Sequence, residues 1–236
     1  MDLRVISIGA LAAHPLRNER GSVRTGHATT SLVRAGDAVI LVDPGLPGPA
    51  IEARLGERVG LKPSDITHVF LTSFHPECRR GLGIFDKAEW LLSEREREGV
   101  GVPLAQSLAR LHESVEAAKH AGEAPPEDHA LMSEVVRTDI AVLQKCRAAP
   151  DSLAPGVDLF PLPGVTPGLC GLLLAEPTRT VLICGDAIPT VEHLEQGKVL
   201  PDTDDREQAQ ESFKEAIEIA DVLVLGRDNW VANKTR

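Results

Sequence analysis

The 236-residue sequence contains no tyrosine, and its four cysteines lie far apart. Without tyrosine, no phenol is available as a catalytic acid or as a donor to an oxyanion. The cysteines form no CxxC pair, which argues against a disulfide scaffold or a zinc knuckle. They are Cys78, Cys146, Cys170 and Cys184. We therefore expect reduced thiols and a cytoplasmic protein.

Basic residues are also few. The sequence holds 25 Lys and Arg against 35 Asp and Glu, a net charge of −10, and its one dense basic spot is the pair Arg79 and Arg80. Nucleic-acid binding needs clustered positive charge, so we expect no nucleic-acid partner. The start of the chain has one early arginine and an apolar run too short for a signal peptide or a membrane span, so we expect no membrane partner.

Short runs rich in Val, Ile and Leu predict buried strands. They are VISIGAL (5–11), AVILVD (38–43), HVFLTS (68–73), GLLLA (171–175), TVLICGD (180–186) and DVLVLG (221–226). Most end in Gly, Asp or Ser, which is typical of a strand that runs into a functional loop. The chain is long enough for one large core, and we expect a single α/β domain over residues 1–236.

Apolar positions recur at helical spacing in two stretches, 103–120 and 127–146, separated by GEAPPED (122–128). We predict a helical hairpin inserted at 103–147. It would be a lid over one end of the core, a surface for a homodimer, or a helical insertion that packs on the core and has no functional role. A further helix is predicted over 204–221, capped by Asp204 or Asp205.

Four landmarks occur in a fixed order along the chain. They are VDPG (42–45), TSFHPEC (72–78), LPGVTPG (162–168) and ICGDA (183–187), followed near the end by LGRDN (225–229). This order resembles the metallo-β-lactamase superfamily, and the details after ICGDA are most similar to the branch that contains N-acyl homoserine lactonases. The resemblance implies an αββα four-layer sandwich, with the helical hairpin inserted and a metal site at one edge between the two sheets.

The family's first metal motif, His-x-His-x-Asp-His, falls here on Ser73, His75, Glu77 and Cys78. Only His75 is unchanged. Cys for His is a tolerable exchange in a zinc ligand, with Zn–S near 2.3 Å against about 2.0 Å for Zn–N. Glu for Asp moves the carboxylate by about a bond length, where tolerances on a metal site are near ±0.2 Å.

The remaining family ligands fall on three later positions. The histidine of the third motif corresponds to Val165, the bridging aspartate to Asp186, and the final histidine to Arg227. Valine has no donor atom, and a guanidinium is always protonated and cannot ligate. The resemblance therefore implies that the first metal site is lost, because a catalytic zinc usually needs three strong protein ligands.

Two interpretations remain open. In the first, one zinc or iron ion is held by a rearranged mononuclear site formed by His75, Glu77, Cys78 and Asp186, with His75 as proton carrier and Asp186 as the other catalytic residue. Hydrolysis of an ester, lactone or thioester would then be weak. In the second, no metal binds, and Arg227 pairs with the carboxylates that a metal would otherwise neutralise. The protein would then be a pseudoenzyme that acts as a small-ligand binding or regulatory module.

The cleft beside this centre is expected to include Ser73, Val165, His193 and Arg227. Cys78 is a ligand, a nucleophile or an inert thiol. His14 and His27 are predicted to be ordinary surface histidines.

Overall fold

Two mixed β-sheets form the centre of the computed structural model, which describes residues 1–121 and 128–234. The strands of the first sheet lie in chain order: β1 (Asp2–Ser7), β2 (Thr30–Ala35), β3 (Ala38–Val42), β4 (His68–Leu71), β5 (Glu89–Leu92) and β6 (Arg147–Ala148). The second sheet has the order β12-β11-β10-β9-β8-β7, with β7 (Ser152–Ala154), β8 (Val157–Pro161), β9 (Cys170–Glu176), β10 (Arg179–Ile183), β11 (Val222–Val224) and β12 (Trp230–Ala232).

Helices cover the outer faces of both sheets. In the described residues they are α1 (Gly48–Val59), α2 (Pro76–Arg79), α3 (Glu94–Ala121), α4 (His129–Lys145), α5 (Val191–Gln196) and α6 (Arg206–Ile219). None of these helices is both long enough and apolar enough to cross a membrane.

The two sheets and the helices on their outer faces form four layers of secondary structure, and three layers of apolar side chains lie between them. The middle one lies between the sheets, where Val42 and Phe70 of the first meet Leu172 and Ile183 of the second. A second layer lies between the first sheet and α1, α3 and α4. In the third, Phe213 and other apolar residues of α6 pack on the second sheet. Side chains alternate across a strand, so a sheet buried on both faces reads as a continuous apolar run. The predicted αββα sandwich is confirmed.

Helix α6 forms as its sequence predicts. The side chain of Asp205 accepts a hydrogen bond from the Gln208 N–H at 3.0 Å, which caps the helix. Phe213 and Ala216 are buried against the second sheet.

The helical hairpin begins earlier than the sequence pattern indicates. α3 starts at Glu94 rather than near residue 103, and the signal is a capping sequence, Ser93-x-x-Glu96. Ser93 Oγ accepts from the Glu96 N–H at 3.1 Å. α3 and α4 pack together, and α4 exposes Leu131, Met132 and Val135. Most of the predicted connection, at 122–127, lies outside the described residues.

Glu96 is a fully buried carboxylate that links three parts of the chain. Its Oε1 accepts from the Phe74 N–H at 2.9 Å, in the loop after β4. Its Oε2 accepts from Thr166 Oγ1 at 2.7 Å and from the Gly168 N–H at 3.0 Å, in the loop between β8 and β9. Buried hydrogen-bond networks of this kind fix loop positions when every member is satisfied.

Replacing Glu96 with alanine should lower the free energy of unfolding by about 3–5 kcal/mol, because it leaves buried donors from two loops without an acceptor. Urea unfolding followed by circular dichroism measures this. Glu98→Ala, an exposed position on the same helix, is the control and should change the value by about 0.5 kcal/mol or less. Equal effects of the two substitutions would contradict the structural role of Glu96.

Candidate functional site

The side chains of the candidate site come from loops that follow four strands. His75 and Glu77 follow β4, Val165 follows β8, Asp186 follows β10 and Arg227 follows β11. All of them line one cleft of about 460 Å³ at the end of the sandwich. The sequence placed these five residues in one site, and the structure brings them together.

Arg227 is the centre of this cluster. Its Nε donates to Asp186 Oδ1 at 2.7 Å and its Nη2 to Asp186 Oδ2 at 2.6 Å, a bidentate pair. Nη1 donates to Glu77 Oε2. The side chain of Arg227 is 3% exposed, that of Asp186 8% and that of Glu77 21%. One guanidinium is therefore shared by two carboxylates in a largely desolvated position.

The charges of the pair stabilise one another. Burial raises the pKa of Asp186, but the charge and hydrogen bonds of Arg227 outweigh it and hold this pKa below its ordinary value. Burial lowers the pKa of Arg227, and Asp186 more than compensates, so the pKa lies above the ordinary arginine value. Both groups are ionised at neutral pH.

Two glycines let the carboxylates reach this position. Gly185, with φ +53°, precedes Asp186, and a Cβ there would lie 2.7 Å from Thr72 Oγ1. Any other residue would be strained by that dihedral and by the contact. Gly26 lies directly against the Glu77 carboxylate, so a side chain at this position would displace it.

His75 stands at the mouth of the cleft and begins the short helix α2. Its Nδ1 accepts a hydrogen bond from the Glu77 N–H at 3.2 Å, which places the proton of the neutral ring on Nε2. Desolvation, and then the positive charge of Arg227, lower the pKa of His75. The ring is therefore neutral at neutral pH and presents an N–H donor.

Ser73 and Cys78 lie beneath the cleft rather than on its surface. Both are buried, and Ser73 Oγ is 3.6 Å from Cys78 Sγ. Burial raises the pKa of the Cys78 thiol well above its ordinary value. A buried thiol that stays protonated is a poor nucleophile, so the geometry favours an inert thiol over a nucleophile at Cys78.

His193 is fully buried and is not among the residues that line the cleft. Its Nδ1 is 2.9 Å from Thr190 Oγ1, which is itself 3.0 Å from His14 Nε2. The prediction of a surface position is wrong for His14, which is 3% exposed because the loop after β1 folds onto α5. His27 is half-buried.

Asp43, the aspartate of the VDPG landmark, lies beneath the site. It adopts φ +50° and is buried, and its two carboxylate oxygens accept from the Thr72 N–H at 2.8 Å and from Thr72 Oγ1 at 2.7 Å. Burial raises its pKa to about 7. It thereby fixes Thr72, the residue against which Gly185 packs.

The donor atoms of this arrangement do not fit a metal ion. Both oxygens of Asp186 and one of Glu77 are occupied by Arg227, and Cys78 is buried beneath the cleft. Over residues 1–121 and 128–234, no three His, Cys, Asp or Glu side chains are grouped so that they could hold an ion. A divalent cation would have to displace a guanidinium of the same sign of charge. The four-residue ligand set stays a prediction that metal titration tests.

Removing the guanidinium should destabilise the fold. We expect Arg227→Met to lower the free energy of unfolding by about 3–5 kcal/mol, since it leaves Asp186 buried and unpaired. Urea unfolding at pH 7.5 with a chelator measures the loss, and Arg227→Met with Asp186→Asn should recover part of it. The control is Arg17→Met, which removes a largely exposed pair with Glu192 and should cost about 1 kcal/mol or less. A loss in Arg227→Met no larger than in Arg17→Met would contradict this account.

His193 should make stability depend on pH. Burial, and then His14, lower its pKa from 6.5 to about 4. Between these values the unfolded chain binds a proton that the folded chain does not, so stability falls as pH decreases from 6.5 to 4. Because other groups titrate in this range, the slopes of two variants are compared. The free energy of unfolding is measured across this pH range for His193→Gln and for His120→Gln, an exposed control. It should fall less steeply with decreasing pH in His193→Gln. Parallel slopes would refute the assignment of this pH dependence to His193.

Comparison with known proteins agrees with this fold. No curated protein sequence matches the chain. A putative metallo-β-lactamase from Thermotoga maritima superposes with a TM-score of 0.65 at 18% identity, covering 98% of both chains. AidC, a dizinc quorum-quenching lactonase in complex with a product, gives 0.60 at 19% identity, covering 81% of this chain and 67% of its own. These likenesses show the fold.

A quorum-quenching N-acyl homoserine lactone lactonase gives a TM-score of 0.54 at 22% identity, covering 83% of this chain and 78% of that one. The family model of the metallo-β-lactamase superfamily matches residues 23–226. Since this match covers well over half of the chain, the chain belongs to the metallo-β-lactamase superfamily.

Proposed function

We propose that this protein is a metal-free member of the superfamily that binds a small molecule in its cleft, with Arg227 in the place of the metal charge. The observation that carries the proposal is the sharing of one buried guanidinium by Asp186 and Glu77. Buried carboxylates need a compensating cation. Here that cation is covalently part of the chain.

Arg227 also blocks the chemistry that the family's metal site would perform. Its five N–H groups donate hydrogen bonds, and it has no lone pair with which to ligate. It cannot activate a water molecule as a bound metal does. Asp186 is a poor general base, because its pKa is lowered and both of its oxygens already accept hydrogen bonds from Arg227.

The volume and the lining of the cleft support the binding of a small molecule. Its volume of about 460 Å³ falls within the roughly 300–1,000 Å³ usual for small-molecule sites. Apolar residues of two loops and polar residues of the Arg227 cluster both contribute to it. This combination allows an apolar part of a ligand to be buried while a polar part is oriented.

The alternative is a mononuclear hydrolase with weak activity on an ester, lactone or thioester. It would use His75, Glu77, Cys78 and Asp186 to hold one zinc or iron ion. The exposed His75 ring at the cleft mouth favours this alternative, but ligation through Nε2 would require its proton to move to Nδ1, which now accepts from the Glu77 N–H. The buried thiol and the occupied carboxylates weigh against it.

Elemental analysis separates the two candidates. The protein is purified without a histidine tag, incubated with zinc or iron and then desalted. If Arg227 occupies the carboxylates that a metal would need, it should retain less than about 0.1 ion per chain. Ester and lactone hydrolysis should not rise on metal addition. About one ion per chain, with hydrolysis that depends on it, would reject the metal-free proposal and favour the mononuclear hydrolase.

A gain-of-binding variant tests the correspondence of motifs. Ser73→His, Glu77→Asp, Cys78→His, Val165→His and Arg227→His together restore the family's donor pattern, and zinc affinity should rise by about 100-fold or more because several nitrogen ligands are added at once. The matched control carries the same first four substitutions with Arg227→Lys. If the restored variant binds zinc no better than the original protein, the alignment of motifs is wrong.

A further inference from the structure

The cleft presents two chemically different surfaces to a ligand. One wall is apolar and is formed by two loops: Leu11, Ala12, Ala13 and Pro15, and Leu200 with Pro201. The other end holds the Arg227 cluster and His75. A ligand that fills both parts must have an apolar segment and one polar group.

The polar end carries a net negative charge. Asp186 and Glu77 contribute two negative charges and Arg227 one positive charge, which leaves −1. The guanidinium is 3% exposed, whereas Glu77 is 21% exposed. A ligand entering the cleft therefore meets a carboxylate oxygen before it meets the positive group. Glu77 Oε2 faces Arg227, and Oε1 lies against Gly26, so the carboxylate acts on a ligand through its charge.

The rim adds further negative charge. Glu19 and Asp202 both line the cleft, and Asp202 is exposed. Glu19 pairs with Arg24, whose Nη1 donates to Glu19 Oε2 at 2.9 Å, so Glu19 is largely neutralised. In the described part of the chain, Arg227 is the one Lys or Arg side chain that lines the cleft.

We propose that the cleft binds a small amphipathic cation, with a protonated amine beside Glu77 and Asp202 and an alkyl segment along the apolar wall. Carboxylates of the same length should be excluded, because the sign of the local charge opposes them. The inference rests on the proposed function: a divalent ion between Asp186 and Glu77 would make the polar end positive and would favour anions instead.

Three ligands with the same alkyl chain test this proposal. Hexylammonium, hexanoate and 1-hexanol are titrated at pH 7.5 in low salt with a chelator, and binding is measured by calorimetry and by ligand-observed NMR. We expect hexylammonium to bind at least about 10-fold more tightly than hexanoate, with 1-hexanol between them, and the preference to decrease as salt is added. Equal binding of amine and carboxylate, tighter binding of the carboxylate, or no binding of the amine would overturn the proposal.

Two aspartates of the same loop give a matched pair of variants. Asp202→Asn should weaken hexylammonium binding about threefold or more while leaving 1-hexanol unchanged. Asp204→Asn, which alters an exposed residue outside the cleft lining, should change neither. Ala12→Trp, which fills the apolar part of the cleft, should weaken the binding of all three ligands. Loss of affinity in Asp204→Asn equal to that in Asp202→Asn would show that net charge, and not the cleft, attracts the amine.

Metal content measured on the same samples keeps the two proposals separate. A preference for hexanoate in protein without metal would reject the cationic ligand and leave the metal-free proposal standing. A preference for hexanoate that appears together with one bound ion per chain would reject both.

Discussion

The salt bridge of Arg227 with Asp186 and Glu77 is the interaction on which the rest of the site depends. Two carboxylates buried at the end of a sandwich are costly unless a cation neutralises them. The guanidinium does so with three donor groups in one plane, two on Asp186 and one on Glu77. The backbone around it is built to allow this, with Gly185 and Gly26 providing the space.

A fixed cation has different consequences from a bound metal. A metal ion activates water and accepts ligands into open coordination positions. Arg227 instead donates its hydrogen bonds to protein oxygens. It also sets the charge that a ligand meets, since one positive charge faces two negative ones. In the function that we propose, this arrangement serves ligand binding rather than bond cleavage.

The loops of the site do not rely on a metal for their positions. Glu96, buried at the start of α3, joins the loop of His75 to the loop of Val165 through Phe74, Thr166 and Gly168. Asp43 holds Thr72 at the end of β4 in the same way. These hydrogen bonds give a physical reason why the family's fold can persist when its ligands have changed.

The sequence by itself determined the αββα sandwich and five of the residues that line the cleft, which are His75, Glu77, Val165, Asp186 and Arg227. The apolar runs at 38–43, 68–73 and 180–186 became β3, β4 and β10, because a strand buried on both faces is apolar at every position. The sequence pattern did not predict strand β2 (Thr30–Ala35) or strand β8 (Val157–Pro161), because polar residues interrupt the apolar run in both. The start of α3 was also missed, although the capping sequence at Ser93 was readable.

Only the tertiary structure decided which side chains of the site are charged and which are accessible. Contacts between residues 150 positions apart, such as Arg227 with Glu77, depend on how the sheets bring loops together, and no local pattern encodes them. The same holds for burial, which raises the pKa of Cys78 and places His14 and His193 in the interior. Sequence specifies the types of side chain at the site, whereas desolvation and pairing, which follow from packing, decide their charge and their availability.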